Sequence, residues 1–575
     1  MKGRAARQCG QASDQKNYRC TTGWPTAPGS IQGVSAWALG TSSASSSRAR
    51  ANPLNRLIRK LCVMAFSIAD ATIFCMNTLA SYDELPYDSL PLPETQPDFL
   101  AAMAKLHGFD APDPSRARII ELGCAQGGNL IPLAWRWPDS DCVGVELSRM
   151  QAAAGAAFIQ GLGLSNVRVL HGDLAALPAD LGEFDFIIAH GVFSWVPPAV
   201  QQALLEVCRR HLSPHGVAYI SFNVAAGWCA LQPLRAALIE RTSAELPAPQ
   251  RHQQALRVLD VLQAEWTDPI LLKEIAYLKT AAPSYLFHEY LAEFNAPMPF
   301  AKFAGLLDAH GLRYVGEASP RRAVVELEDA WGLIPESMAG RWLDAEAALD
   351  DALAIRFRRA LIAREDAPCA QPPEADALSG LSFYADLRSD EEIDLESPVE
   401  QCFLNPAGNS FPITLPAMKA AAMALSAAYP GALDYAALLS AAAQVLAQYD
   451  ASAEWDEATF REALFQLVLL HGVMPTVAAG AVAVEPGERP CAHALARQQA
   501  NSPGWVVSGA RHVAMDLDPP GRMLLGSLDG SRTVDELAAQ MQATLAQSGL
   551  DMTLERLNEL TWQQLWLFAR QGLLV

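Results

Sequence analysis

Residues Arg118–Leu130, reading RIIELGCAQGGNL, constrain the fold more than any other stretch of the chain. Ile119, Ile120 and Leu122 form a short apolar run with β-branched content, which suits a strand buried on both faces. Gly123 breaks the run, and Gly127 and Gly128 follow before a helical stretch that starts near Asn129. A glycine-rich turn between strand and helix lets a ligand approach the backbone, and the helix start offers free N–H groups. Alone the pattern is weak, since Gly123-x-Ala125-x-x-Gly128 fits a degenerate dinucleotide fingerprint about as well as it fits other adenosine cofactors.

The next hundred residues discriminate between these readings. Asp141–Glu146 (DCVGVE) reads as a second strand that ends in an acid. Val167–Leu170 is a third strand, followed by His171-Gly172-Asp173-Leu174. Phe184–His190 is a fourth, followed by GVFSWVP, and Gly216–Phe222 is a fifth. Helical runs such as Met150–Leu162 and Val200–Leu212 lie between them, and that alternation means a parallel, doubly wound sheet. An acid at the end of the second strand can accept hydrogen bonds from both ribose hydroxyls. Asp173 just past the third strand can reach an adenine amino group, and Glu121 can meet a methionine ammonium. Together these features resemble a class I S-adenosylmethionine (SAM) methyltransferase. A nicotinamide enzyme would need an acid or base for hydride transfer, and no Tyr-x-x-x-Lys or equivalent follows strand four. Five apolar strands without a cofactor would not explain acids at three successive strand ends.

A chain of 575 residues should hold about three or four domains. Its formal charge of −20 argues against nucleic acid as a partner. The 11 cysteines have no Cys-x-x-Cys spacing, which fits reduced cytoplasmic thiols and no metal site. No run of eighteen apolar residues exists, so no stable membrane insertion is expected. Residues 1–75 differ from the rest, with about ten Lys or Arg, two acids and Ser-rich stretches. A transit peptide would fit, but a disordered leader upstream of a true start at Met76 or Met64 is the preferred expectation.

The strings YDSLPLPETQPD, ELGCAQGGNL, HGVFSWVP and SFNVAAGW resemble bacterial methyltransferases that carry a methyltransferase regulatory domain. Protein-lysine methyltransferases acting on outer-membrane proteins are similar. Tyr285–Ala318 resembles the regulatory region itself. Two departures stand out: Ala125 where the family has Gly, and Val224-Ala225-Ala226 where it has Thr and Pro. The resemblance implies SAM contacts at Glu121, Gly123, Ala125, Gly127, Asn129, Glu146, Leu147, Asp173, Leu174, His190 and Ser194. It implies a protein substrate and a homodimer formed through helices. Catalytic candidates are Tyr87, His190, Trp195 and Trp228, the aromatics being placed to line an acceptor pocket with Phe193. His288-Glu289 has no third ligand at metal spacing, so a structural role is expected.

The domains read as a leader (1–75), a Rossmann-like SAM-binding core (76–230) and a helical regulatory or dimerisation region with the last core strand (231–363). A linker rich in Pro, Asp and Glu follows (364–400). Arg341–Ala363 reads as a solvated helix between domains, because acids Asp344–Asp351 precede Arg356, Arg358 and Arg359. Beyond the linker a repeat of about one hundred residues pairs Leu464–Met474 with Gln564–Leu574. It suggests a mostly α region of two winged-helix-like units, 401–478 and 479–575. Residues 376–575 carry about 24 acids against ten Lys or Arg, so packing or protein binding is favoured over DNA. The module should also be separable from the core. The leading expectation is N-methylation of protein lysines. The rivals are a small-molecule methyltransferase with accessory helices and a non-catalytic SAM-binding scaffold.

Overall fold

The computed structural model describes residues 84–86, 88–318, 341–371, 373–449, 451, 454–478, 485–547 and 549–575. The leader (1–75) and the candidate Tyr87 lie outside the described residues. The five expected strands lie parallel as β1 (Arg118–Leu122), β2 (Asp141–Glu146), β3 (Val167–His171), β4 (Phe184–Ala189) and β5 (Leu212–Asn223). With β6 (Leu312–Glu317) and β7 (Phe357–Arg364) they form one sheet in the order β3-β2-β1-β4-β5-β7-β6. Only β7 runs antiparallel to its neighbours. The order reverses between β1 and β4, which opens a crevice at their carboxyl ends.

Alternate side chains of β4 feed two different cores. Phe186 and Ile188 join the face covered by α1 (Pro97–Leu106), α2 (Leu130–Arg136) and α3 (Arg149–Leu162). Ile187 and Ala189 join the face covered by α4 (Pro198–His211). Next come α5 (Gln232–Arg241), α6 (Ala248–Glu265) and α7 (Pro269–Leu278), which share a separate apolar cluster with Leu286 and Tyr290. Then α8 (Phe300–Ala309) returns to the sheet, placing Phe303 and Leu307 beside the α4 residues.

The stretch 341–363 corrects the expectation of one solvated helix. α9 (Trp342–Leu353) ends where Ala354 turns left-handed, at φ 49°, and the chain then enters the sheet as β7. Arg358, read as a surface charge, is 1% exposed. Its Nε donates to both Asp350 oxygens at 3.1 and 2.9 Å. Nη1 donates to Glu317 at 2.9 Å and Tyr314 at 3.2 Å, and Nη2 reaches the Glu346 carboxylate at 2.7 Å. The Phe300 ring covers the guanidinium at 4.1 Å. The residues FRRALIAR alternate with period two, which is a strand pattern, and the arginine is tolerated inside because all its donors are satisfied. One cation among three acids leaves a surplus of negative charge, and burial raises the Glu346 carboxyl above its ordinary range.

The C-terminal region repeats one order of elements twice. The first unit holds β8 (Ser382–Tyr384), the hairpin β9 (Gln401–Leu404) and β10 (Ser410–Ile413), then α10 (Pro416–Ala428). It continues with β11 (Leu433–Asp434), α11 (Tyr435–Gln448), α12 (Glu457–Leu469) and β12 (Met474–Thr476). Strands β11, β8 and β12 pair in that order. The second unit holds α13 (Ala494–Asn501), the hairpin β13 (Val507–Ser508) and β14 (Ala514–Met515), α14 (Pro519–Gly526), α15 (Val534–Gln547) and α16 (Leu554–Arg570). Isolated bridges Cys491–Asp529 and Ala492–Leu574 occupy the places of the first unit's small sheet.

The expected linker at 364–400 is not one. Leu378, Leu381, Phe383, Leu387 and Leu395 are buried, and β8 supplies the middle strand of the first unit. The acids of this stretch mark its surface, while the apolar residues between them enter the core. One apolar cluster runs unbroken from Ile119 and Phe186 of the sheet through Phe383 to Leu464 of α12. Arg570 of α16 then grips the buried Asp386 with Nε at 3.0 Å from Oδ2, tying the second unit to the first. The first unit thus shares its core with the sheet, against the expectation of a separable module.

Two stability experiments follow. Arg358→Leu strands three buried acids and should cost about 3–5 kcal/mol, read as a lower urea midpoint. A chain ending at residue 371 uncovers the shared apolar face. It should aggregate or melt without cooperativity, and a cooperative transition of wild-type midpoint would refute the continuity of the core.

Candidate functional site

The carboxyl ends of β1 to β4 bring the expected acids together. Glu121 is buried, its Oε1 accepting from Asn129 Nδ2 at 2.9 Å while Oε2 is buried without a hydrogen-bond partner. Burial pushes this carboxyl up to about 8, and the charge of Glu146 adds to the effect. Glu146 is half-buried and accepts from the amides of Ala125 and Ser148, each at 2.8 Å. The Gly172 amide donates to the Glu146 carbonyl at 2.9 Å, which sets the exit of β3 beside that of β2. Asp173 follows, exposed, with Oδ1 accepting from Ala175 at 2.9 Å. Leu147 and Leu174 flank these acids, both partly exposed.

The glycine-rich loop is built differently from the free-amide cradle expected of it. The amides of Gly123 and Cys124 bind the Val145 carbonyl, and that of Gly127 binds Cys124 O at 2.8 Å. The Gly128 amide binds Ser89 Oγ at 2.8 Å. A Cβ on Gly128 would lie 2.1 Å from the Ser89 carbonyl oxygen, so this glycine admits the segment that folds over the loop. Gly123 and Gly127 take positive φ, and so does Ala125 at 50°, the position where glycine was expected. A dinucleotide pyrophosphate needs free amides at such a loop, and those of Gly123, Cys124, Ala125, Gly127 and Gly128 are already engaged. The buried, unpartnered oxygen of Glu121 calls instead for a cationic group. A cofactor with an ammonium, a ribose and no phosphate satisfies both, and SAM fits the residues present: Glu121 would take the ammonium, Glu146 the ribose and Asp173 the adenine edge.

A second cluster sits at the exits of β4 and β5 and the start of β7. His190 Nδ1 lies 2.9 Å from the Tyr219 hydroxyl, and its ring is edge-on to Phe357 at 5.8 Å. Burial draws this imidazole down to about 4, and Arg359 reinforces the shift. Arg359 in turn faces Glu94, from the overlying segment, at 3.7 Å. Burial opposes ionisation of Glu94, yet Arg359 holds its carboxyl below the usual range.

Three predicted residues have other duties. Trp228 is buried among the helices, 5.7 Å from Tyr290, because the turn after β5 points it into their core. Ser194 is 1% exposed, its Oγ accepting from the Asn223 amide at 2.7 Å, so it pins the end of β5. Phe193 packs on Phe303 at 5.4 Å. Trp195 remains partly exposed at the exit of β4, close in sequence to His190. His288 has a structural duty, with Nε2 2.6 Å from the Leu85 carbonyl. Sequence reasoning missed Ser89, Glu94, Arg359 and His512. Only Arg359 carried a signal, the two-residue alternation of β7.

The fold and this cluster of strand-end acids define a class I SAM-dependent methyltransferase. Residues 119–216 match the family described as a methyltransferase domain, 282–364 a predicted methyltransferase regulatory domain, and 488–561 the PKMT C-terminal winged helix domain. Among curated relatives, uncharacterized protein RP028 of Rickettsia prowazekii is 34% identical over 229 residues, covering 39% of this chain and 92% of that protein. Uncharacterized protein RP789 of the same organism is 32% identical over 360 residues, covering 59% of this chain and 64% of that one, so the chain spans under two thirds of its length. The solved structure of PKMT2 from Rickettsia typhi in complex with AdoHcy shares the fold, with a TM-score of 0.73 at 22% identity over 85% of this chain and 100% of that one. The chain belongs to the same family as RP028, one of class I methyltransferases. The regulatory match ends at Arg364, the last residue of β7, so it covers the strands that complete the sheet.

The site predicts a proton linkage. Ligand-free, Glu121 keeps its proton up to about pH 8, whereas the unfolded chain releases it near 4.5. The folded state binds the extra proton between those values, so ligand-free stability falls as pH rises through that window. A bound cation favours the carboxylate, so SAM affinity should rise with pH towards 8 and binding at pH 7 should release up to one proton. Calorimetry in buffers of different ionisation enthalpy measures this. Release that persists in Glu121→Gln would assign the proton elsewhere.

Proposed function

We propose that this chain N-methylates lysine side chains of a protein substrate. The observation that carries the reading is the match of residues 488–561 to the PKMT C-terminal winged helix domain, PKMT denoting protein-lysine methyltransferase. It falls on the unit that packs against the cofactor loop, with Gln126 Nε2 donating to the Gly504 carbonyl at 3.0 Å. A small acceptor molecule would need no such unit.

Bound SAM supplies a methyl group on a cationic sulfur. The chain has to orient an amine in line with it and keep that amine neutral. Tyr219, His190 and Phe357 offer a ring-lined wall, and Arg359 places a cation there. Desolvation and a like charge both lower a lysine pKa, so an entering side chain gives up its proton more readily. His190, held near 4, is too weak a base to keep that proton at neutral pH. The proton therefore leaves for solvent. The net charge of −20 steers basic polypeptides towards the surface.

A small-molecule role has one observation behind it. The trans-aconitate 2-methyltransferase of Deinococcus radiodurans is 33% identical over 107 residues, but this covers only 18% of the chain and 38% of that enzyme. The same proposal includes a homodimer, with Val261 of α6 and Ile270 of α7 exposed on the helical layer. It also includes a cytoplasmic site, where free thiols such as Cys124 and Cys208 persist. No helix among the described residues is long and apolar enough to cross a membrane.

Incubating the chain with methyl-labelled SAM and a cell-envelope extract should label protein, and acid hydrolysis should return the label as methyl-lysine. Label confined to small molecules would favour the rival reading.

A further inference from the structure

The hairpin region of the second winged-helix unit lies against the cofactor half of the sheet from Gly504 to His512. Gly504 accepts from Gln126 in the glycine-rich loop at 3.0 Å. Trp505 stacks on Phe158 of α3 with ring centroids 3.6 Å apart. Ala510 accepts from Arg136 of α2 at 3.0 Å, and Arg511 from Gln96 at 3.2 Å. At the tip, His512 Nε2 lies 2.7 Å from Asn129 Oδ1. The Asn129 amide nitrogen is the group that holds Glu121 at 2.9 Å.

His512 is unusual in two further respects. It is 3% exposed, and its backbone is left-handed at φ 58°. A non-glycine residue in that conformation is held there by its surroundings. With Oδ1 of Asn129 as acceptor, Nε2 must carry the proton. Burial keeps the ring neutral, drawing it down to about 3, and the nearby Arg136 adds to this. This neutral donor acts on the same oxygen as the Leu92 amide at 2.9 Å and the Thr95 hydroxyl at 3.1 Å, and together they turn the Asn129 NH2 towards Glu121.

We propose that His512 is a positioning residue of the SAM site, supplied by the C-terminal unit, which sets the Glu121 carboxylate through Asn129. The unit is then part of cofactor binding as well as of substrate handling. The proposal rests on the assignment of SAM to this site.

The charged and titratable groups around Glu121 are Glu146 and Cys142 of β2, Cys124 of the loop and, beyond Asn129, His512 with Arg136 of α2. Of these only His512 is altered in the test. The hydrogen bond from Asn129 lowers the Glu121 pKa. Loosening it should therefore move the pH midpoint of SAM affinity upward.

Full-length His512→Gly suits the left-handed backbone and removes the donor. It should weaken SAM binding roughly tenfold, the usual effect of losing one hydrogen bond to a charged network, and shift that midpoint upward. His512→Gln, whose amide can replace Nε2–H, should recover most of both. If the glycine variant does not fold, His512→Asn tests the same loss, because Asn tolerates the backbone but its amide is too short to reach. Donor-lacking variants that melt lower yet keep wild-type SAM affinity and midpoint would overturn the proposal, leaving His512 a packing residue. A wild-type chain that binds no SAM would instead overturn the cofactor assignment.

Discussion

One buried carboxamide holds the site together. Asn129 donates to Glu121, while its Oδ1 receives the Leu92 amide at 2.9 Å, the Thr95 hydroxyl at 3.1 Å and His512 Nε2 at 2.7 Å. Four segments meet at this side chain: the overlying strap, β1, the start of α2 and the distant C-terminal unit. In a dry interior an unsatisfied polar group is costly, so such a network either forms completely or destabilises what surrounds it. The acid it presents keeps one oxygen unmatched, and that mismatch is what a cationic cofactor relieves.

A second polar network closes the sheet. Arg358 draws Glu317 from β6 and Glu346 and Asp350 from α9 onto one guanidinium. Its chain neighbour Arg359 points to the other side of β7, towards Glu94 and the site. Adjacent arginines on one strand thus serve two ends: one locks the regulatory stretch into the Rossmann-like sheet, the other places a cation beside Glu94 and His190. The region that matches a regulatory domain is joined to the catalytic sheet by backbone pairing, which leaves it little freedom to move as a body.

Much of this was legible in the residues, and what was not shares one cause. The strands β1 to β5 and β6 followed from apolar runs, and the acids at their ends from position alone. The repeat in the last two hundred residues also held, down to matched hairpins before Leu415 and Leu517. Charged stretches misled. The arginines of β7 and the acid-rich 364–400 segment look solvated by composition, because composition cannot tell which charges find partners. Aromatic residues misled in the same way: Trp195 and Trp228 both follow strands, and only the path of the chain leaves one partly exposed after β4 and turns the other into a helical core.

The residues alone determined six of the seven sheet strands, the class of cofactor and the duplicated C-terminal architecture, since these rest on local periodicity and on residues at fixed positions along strands. Only the tertiary structure decided how the parts depend on one another. It joined the first winged-helix unit to the core of the sheet, buried Arg358 and carried His512 across 383 positions to Asn129. Contacts of that kind depend on how completed elements pack and on which polar groups are left to satisfy. Neither quantity has a period that can be read along a chain.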